Sequence, residues 1–384
     1  MTPQQESTQQ ELVSQTEFHE LLRQKLREAV RYTLIQVLEA EVEAHIGAAS
    51  YERTAKRRDY RNGSYDRNLV TGVGEIEALP VPRSRNGFRT QVFEQYQRRQ
   101  AELDEAICEM FVSGSSTVQV GQIVEKLTRT KPSPSTVSRV FHGLEDEFAN
   151  WKKRRLAKEY LYIFADGTYF SVIYDKEGHK MPILGVIGIT VEGQREVLAF
   201  RVGDRENQMA WEDLMDDLKQ RGVEQVGLWI TDGNQATINA VEHKFPDSAR
   251  QRCIKHKMDN ILGYIPKKQQ ELVKPELKAI FYQANREKAD QEVAAFIEKY
   301  EPIYPTAIEC LNRDLAACLT FYDFPKEHWK TIRTTNVIER MFLEVKRRSN
   351  KMGAAFRNEN SCLLMFYAVI RGINFRRIPI PAKI

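Results

Sequence analysis

The sequence has no apolar run near the roughly 20 residues needed to span a bilayer, so no membrane segment is expected. It also lacks a cysteine framework. Its five cysteines (Cys108, Cys253, Cys310, Cys318, Cys362) are odd in number and irregularly spaced, which excludes a disulfide-stapled scaffold. With no secretory leader, a reducing, cytoplasmic setting is expected. Net charge is slight: 57 Lys and Arg against 53 Asp and Glu leave +4. Apolar character is scarce at the start, where MTPQQESTQQ suggests a disordered tail over 1–16.

What charge there is falls unevenly. Residues 53–99 hold eleven Lys/Arg and five Asp/Glu, and residues 330–384 hold twelve and three. Two basic blocks on a near-neutral chain suggest local phosphate contacts, against the alternative of solvated surface charge. At 384 residues and 42% hydrophobic, the chain has room for two or three domains.

Glu17 to Ile46 has helical periodicity, for packing in its own domain or for dimerisation. Asn62-Gly63, Gly72, Gly74, Pro80, Pro82 and Asn86-Gly87 then punctuate short strand-like stretches, a small β-hairpin region. Its Arg57, Arg58, Arg61, Arg83, Arg85 and Arg89, with Tyr60, Tyr65 and Phe88, are suited to tracking a phosphate backbone. TVQVGQIVEKL and TRTKPSPSTVSRVFHGL form helix, turn, helix. Pro134 opens the second helix, and Ser133 or Ser135 caps it. Ser135, Thr136 and Arg139 lie where a recognition helix meets DNA; two packed helices with no DNA role are the alternative. WKKRRLAK is a basic link.

An α/β core follows. Strands are expected at Leu161–Phe164, Met181–Thr190, Glu196–Val202 and Gln225–Thr231. Glu192-Gly193-Gln194 makes a hairpin turn, and helices run over Asn207–Arg221 and Gln235–Lys244. Residues 257–325 look almost wholly helical. A last, basic helix starts near Asn336, capped by Thr334 or Thr335, with Glu339 in its first turns. The domain expectation is 17–100 for a helical and hairpin DNA-binding or dimerisation region, 101–158 for the helix-turn-helix and linker, 159–256 with 331–384 for the catalytic domain, and 257–330 for a helical insertion.

Two strands are expected to end in Asp-Gly, at Asp166-Gly167 and Asp232-Gly233. One such pair is an ordinary turn. Two at the carboxyl ends of neighbouring strands form a site, because functional side chains gather there. Adjacent carboxylates repel, and a divalent cation relieves that repulsion. Mg²⁺ takes oxygen ligands and few protein carboxylates. Glu339 from the later helix would complete a site for two ions about 3.5–4 Å apart, suited to phosphodiester chemistry. Asp175, Glu192, Asp204, Asp259 and Glu344 rank below it.

The stretches ADGTYF, EVLAFRVGDRENQMAWEDLMDDLKQRGV, LWITDG, RQRCIKHKMDN and HWKTIRTTNVIER resemble bacterial insertion-sequence transposases of the Mutator-like group, from about Leu12 to Pro379. These belong to the DDE transposases, with a ribonuclease-H-like mixed sheet. The resemblance maps the catalytic, metal-holding acids onto Asp166, Asp232 and Glu339, and selects Glu339 over the nearby acids. It implies two Mg²⁺ or Mn²⁺ ions. The partners it implies are double-stranded DNA (element inverted repeats and target) and further copies of the chain, in a homodimer or larger assembly associated with the bacterial nucleoid.

Cys253 and His256 match the group's Cys-x-x-His motif, and are auxiliary to the site with Asn336. His256 either approaches the scissile phosphate or, with Cys253, braces the strand end; half a zinc site does not predict zinc. Trp329 is suited to stacking on a displaced base or to a core. Arg333, Arg340, Arg347 and Arg348 are the expected phosphate contacts near the site. The competing readings are a structure-selective nuclease on the same fold, a catalytically silent DNA-binding derivative and, more distantly, a helix-turn-helix regulator.

Overall fold

The computed structural model describes residues 14–94, 97–174, 177–203, 207–351, 356 and 358–380. Most of the expected tail, together with Asp175 and Asp204, lies outside the described residues. The chain divides into two compact units, residues 1–142 and 143–384.

The first unit opens with α1 (Gln15–Ile46), one continuous helix capped by Ser14 and Glu17. Leu38, Val42 and Ile46 recur every four residues and are buried. Leu38 packs with Leu69, Ile76, Leu79, Val81 and Phe93. Gly47 ends the helix at φ 75°, a left-handed turn that favours glycine. The small hairpin proves to be two long strands, β1 (Arg61–Thr71) and β2 (Gly74–Ser84). Asn62-Gly63 is no turn. It lies inside β1, at a register shift between Arg61 and Ser64 that absorbs the positive φ of Gly63. Three helices follow: α2 (Ala101–Val112), α3 (Thr117–Thr128) and α4 (Pro134–His142). Leu103, Ile107, Val120, Val124 and Val137 make their core. The expected helix, turn, helix is α3–α4, and the Thr136 N–H donates to Ser133 Oγ at 3.2 Å.

The second unit begins with α5 (Glu145–Lys153) and is built on β3 (Glu159–Tyr174), β4 (Glu177–Thr190), β5 (Arg195–Val202), β6 (Gln225–Thr231) and β7 (Ala249–Arg252). The spatial order is β5-β4-β3-β6-β7. β3, β4 and β5 pair antiparallel, and β6 and β7 run parallel to β3. α6 (Gln208–Gln220) and α7 (Gln235–Lys244) form the crossovers around β6. Trp211, Leu214, Met215 and Leu218 pack on one sheet face with Ile163, Ala165, Leu184 and Val186.

After β7 the chain is helical, as expected: α8 (Ile254–Gly263), α9 (Lys267–Ile280), α10 (Arg286–Tyr300), α11 (Pro305–Asn312), α12 (Leu315–Leu319) and α13 (Trp329–Ile332). Then α14 (Asn336–Lys351) and α15 (Glu359–Arg371) cover the other sheet face. Gly185 makes the approach of α14 possible. A Cβ there would lie 2.9 Å from Phe342 Cζ and 3.3 Å from Ile338 Cδ1.

Two expectations for this sheet need correction. β3 does not end at Asp166-Gly167 but continues to Tyr174, because β4 pairs with it along its whole length. A fifth strand, β7, was not expected. Its sequence, Ala-Arg-Gln-Arg, is too short and polar to show alternation, and parallel pairing with β6 holds it in place.

Candidate active site

Period-two alternation turns Ile163 and Ala165 towards α6 and α7, and therefore turns Asp166 and its β4 partner Gly185 to the α14 face. β6 pairs with β3 only as far as Thr231 opposite Ala165. The next residues, Asp232 and Asp166, thus stand side by side where the parallel pair separates. Gly233 turns the chain away at φ 90°, and a Cβ there would collide with the Arg252 guanidinium. That turn lets the Asn234 N–H donate to Asp232 Oδ1 at 2.9 Å, while Asn234 caps α7. The Gly167 N–H donates to Asp166 Oδ1 at 2.8 Å.

Asp166 is buried and Asp232 half-buried. Burial, then the Asp232 charge, push the Asp166 carboxyl up to about 7, with His256 opposing and Glu339 adding to the rise. Both Asp232 and Glu339 are therefore within electrostatic reach of Asp166. Glu339 lies in the first turn of α14. Lys255 Nζ donates to its Oε2 at 2.5 Å, Thr335 Oγ1 approaches Oε1 at 3.0 Å, and His256 Nε2 lies 3.9 Å from Oε1. Burial raises the Glu339 carboxyl, but Lys255 and Thr335 outweigh it and the net shift is downward.

Cys253 is fully buried and closes β7 onto its neighbour, its N–H donating to Thr231 O at 2.7 Å. The Thr335 N–H donates to Cys253 Sγ at 3.4 Å, tying the strand end to the start of α14. Burial raises the thiol, yet His256 and Thr335 lower it on balance. The adjacent Cys253 sulfur, opposed by burial and helped by Asp166 and Glu339, holds His256 protonated up to about 9. Cys253, His256 and Glu339 form a trio of donors within 4.8 Å of one another. Asp166 and Asp232 stand outside that trio.

Divalent ions fit the aspartates: hard oxygen donors on adjacent strands, one buried, each accepting a backbone hydrogen bond, with a repulsion that His256 offsets only in part. Glu339 is neutralised by Lys255, the cation that an ion would have to replace.

Lys255 and Lys346, cations that sequence reasoning did not assign to the site, lie near these acids. Lys346 Nζ donates to Thr168 Oγ1 at 2.5 Å, two residues along β3 from Asp166. Burial and the nearby Arg340 lower the Arg195 pKa. Lys255 was missed because no spacing rule joins positions 255 and 339. Among the expected contacts, Arg340 and Asn336 are exposed. Arg347 and Arg348 pair with Glu344, and Arg333 stacks on Tyr282 at 3.8 Å. Trp329 donates its indole N–H to Phe324 O at 2.7 Å and packs edge-on against Phe321 and Tyr322.

The shifts of Asp166 and His256 act in the same direction on stability. Folded Asp166 holds its proton more tightly than an unfolded carboxyl, so its contribution is lost as pH rises from about 4 through about 7. The His256 contribution is present below pH 6.5 and is lost as pH climbs through about 9. In chelator, calorimetry is expected to show a melting temperature falling from weakly acidic to alkaline pH. Asp166→Asn should flatten the lower part of that fall. An unchanged profile in the variant would contradict the assignment.

A buried carboxyl lifted to about 7 beside a second carboxylate at a sheet crevice, with Glu339 and His256 within electrostatic reach, is the kind of arrangement that functional sites concentrate. The chain belongs to the Mutator family of transposases, whose family description matches residues 1–376, and it is thereby a nucleic-acid-processing enzyme. It is 33% identical over 345 residues to the transposase for insertion sequence element ISRM5 of Rhizobium meliloti, covering 90% of this chain and 86% of that one. It is 33% identical over 343 residues to the transposase for IS256 in transposon Tn4001 of Staphylococcus aureus, covering 88% and 87%. The solved Mos1 transposase paired-end complex with left transposon end aligns at 12% identity over 61% of this chain and 82% of that one. Its TM-score of 0.17 carries no argument.

Proposed function

We propose that this transposase binds the terminal inverted repeats of its own element and cuts and joins DNA there, using Asp166, Asp232 and Glu339 in a ribonuclease-H-like core. The observation that carries this reading is the juxtaposition of Asp166 and Asp232 where β3 and β6 part, with Glu339 of α14 within electrostatic reach of Asp166. A mixed sheet in which β4 alone runs antiparallel, between β5 and β3, with β6 and β7 parallel to β3 on its other side, supports the core assignment. When bound by the three acids, Mg²⁺ or Mn²⁺ supplies Lewis acidity and an activated water.

The chain's own groups do the rest. Asp166 and Asp232 fix the reacting centre on a rigid sheet. Lys255 neutralises Glu339 until an ion replaces it, Thr335 and Cys253 brace its helix, and His256 presents a positive charge beside it. Hydrolysis at the element end frees a 3′-hydroxyl, which attacks a second phosphodiester in line.

In the first unit, Ser135 and Thr136 stand in the first turn of α4 and Arg139 in its last, with Ser135 and Arg139 exposed, which supports a recognition helix. Homodimer assembly is supported by Phe18, Leu21, Leu22 and Leu26, apolar and exposed on the N-terminal half of α1.

A pre-cleaved element end with a free 3′-hydroxyl is expected to be joined to plasmid DNA with Mg²⁺. Hydrolysis without any joined product would favour the structure-selective nuclease instead.

A further inference from the structure

The arginines of the hairpin region divide into two classes. Arg57 donates to the carbonyls of Ala49 and Glu52, and Arg58 to that of Ala44. Arg61 is paired with Glu39 and Glu43 on α1. These three cations are internal struts. Arg85 lies over Tyr60, while Arg67, Arg83, Arg89 and Arg98 instead line an open groove of about 1190 Å³. Its lining includes Tyr65, Arg67 and Arg83 of the two strands, and Arg89, Phe93 and Arg98 of the segment that follows. With Arg99 it carries five arginines, against Glu75 and Glu94.

We infer that this groove seats the sugar–phosphate backbone of duplex DNA, with Arg83, Arg89 and Arg98 as the contacting cations. The inference rests on the DNA-binding reading above and locates one of its surfaces. Charge complementarity is the first argument. Arg83, Arg89 and Arg98 are exposed, and none has an acidic partner among the described residues. Small-molecule sites place only a few polar groups among apolar ones, whereas five arginines line this groove.

The second argument separates duplex from single strand. Single-strand sites present open aromatic faces for bases. Here Phe93 is buried with the Arg67 guanidinium 4.1 Å from its ring centroid, and Arg83 lies 4.6 Å from that of Tyr65, so each ring already has one face taken. A guanidinium stacked on a ring keeps its in-plane N–H donors free, a fork that matches phosphate. Arg99 is held by Asp104 at 2.5 Å and serves the wall rather than the ligand.

The test is a salt titration of full-length protein binding to a fluorescent random-sequence duplex, since backbone contacts carry no sequence. Arg83→Gln/Arg89→Gln/Arg98→Gln is expected to lower the slope of log K against log salt by about 2–3, near 0.9 for each phosphate no longer neutralised. Lys267→Gln/Lys268→Gln/Lys274→Gln, on exposed positions of α9, is the charge-matched control and should leave the slope unchanged. If the triple variant melts early, Arg89→Gln/Arg98→Gln, which removes no ring stacking, should lower the slope by about 2. Wild-type binding with an unchanged slope in the variants overturns the groove but not the DNA reading. So does an equal loss in the control, or a larger loss on single-stranded DNA than on duplex. Failure of the wild type to bind any duplex overturns both.

Discussion

Asp166→Ala and Asp232→Ala are each expected to reduce cleavage of a duplex element end by about 10³-fold or more, with end binding retained. Ion-assisted phosphodiester cleavage draws several kcal/mol from charge stabilisation at the reacting oxygens, and each 1.36 kcal/mol is tenfold in rate. Neither aspartate braces the fold: each accepts one backbone hydrogen bond from its own turn or strand. Glu339→Gln should also abolish cleavage, because the amide keeps the Thr335 contact but loses the charge with which Glu339 would hold an ion. Lys255→Gln should cost much less, since Lys255 neutralises Glu339 only while no ion does. Asp166→Asn adds a signature of its own. It removes the buried charge that desolvation and then Asp232 disfavour, the cause of the rise to about 7, so the inactive variant should melt higher than wild type at alkaline pH in chelator. Wild-type rates with Mg²⁺ in any of the three acid variants would remove that residue from the site.

The site was half legible in the sequence, for identifiable reasons. β6 and α7 fall where expected, at Gln225–Thr231 and Gln235–Lys244. Buried apolar residues there meet a glycine turn and an Asn cap, both local signals. Asp166-Gly167 has the same letters as Asp232-Gly233 but not the same geometry. Gly233 takes a positive φ, whereas Gly167 stays in a strand that β4 extends to Tyr174. The two aspartates meet because β6 stops, a fact about pairing that one strand's sequence does not contain. Glu339 is less legible still. Its place depends on Gly185 admitting Phe342 and Ile338, and the β4 sequence shows that glycine without the helix it receives. The arginines show the same limit. All were legible as cations, but only the folded chain separates Arg61, consumed by Glu39 and Glu43, from the exposed Arg89.

Asp314→Ala is the substitution expected to cost the most stability away from the acids. Asp314 receives both Arg252, the last residue of β7, and Lys257 on α8. Lys257 is 1% exposed and also donates to the Cys310 carbonyl of α11, so one carboxylate ties the helical segment to the strand end. Removing it leaves a buried ammonium without its counter-charge. Breaking a buried pair costs about 3–5 kcal/mol, and a partly exposed Asp314 places this case near the lower figure. For a unit of this size that is a fall of roughly 6–12 °C in melting temperature. Lys257→Met should be milder, because Asp314 keeps Arg252. Lys257→Met/Asp314→Leu should recover much of the loss by replacing the pair with packing. The order of the three variants is the discriminating result, and equal losses would mean that the pair does not hold the two segments together. A functional consequence follows from Arg252, whose guanidinium fills the space beside Gly233. Released from Asp314, it loosens the turn that aims Asp232, so Asp314→Ala should also slow cleavage at temperatures where the protein is still folded.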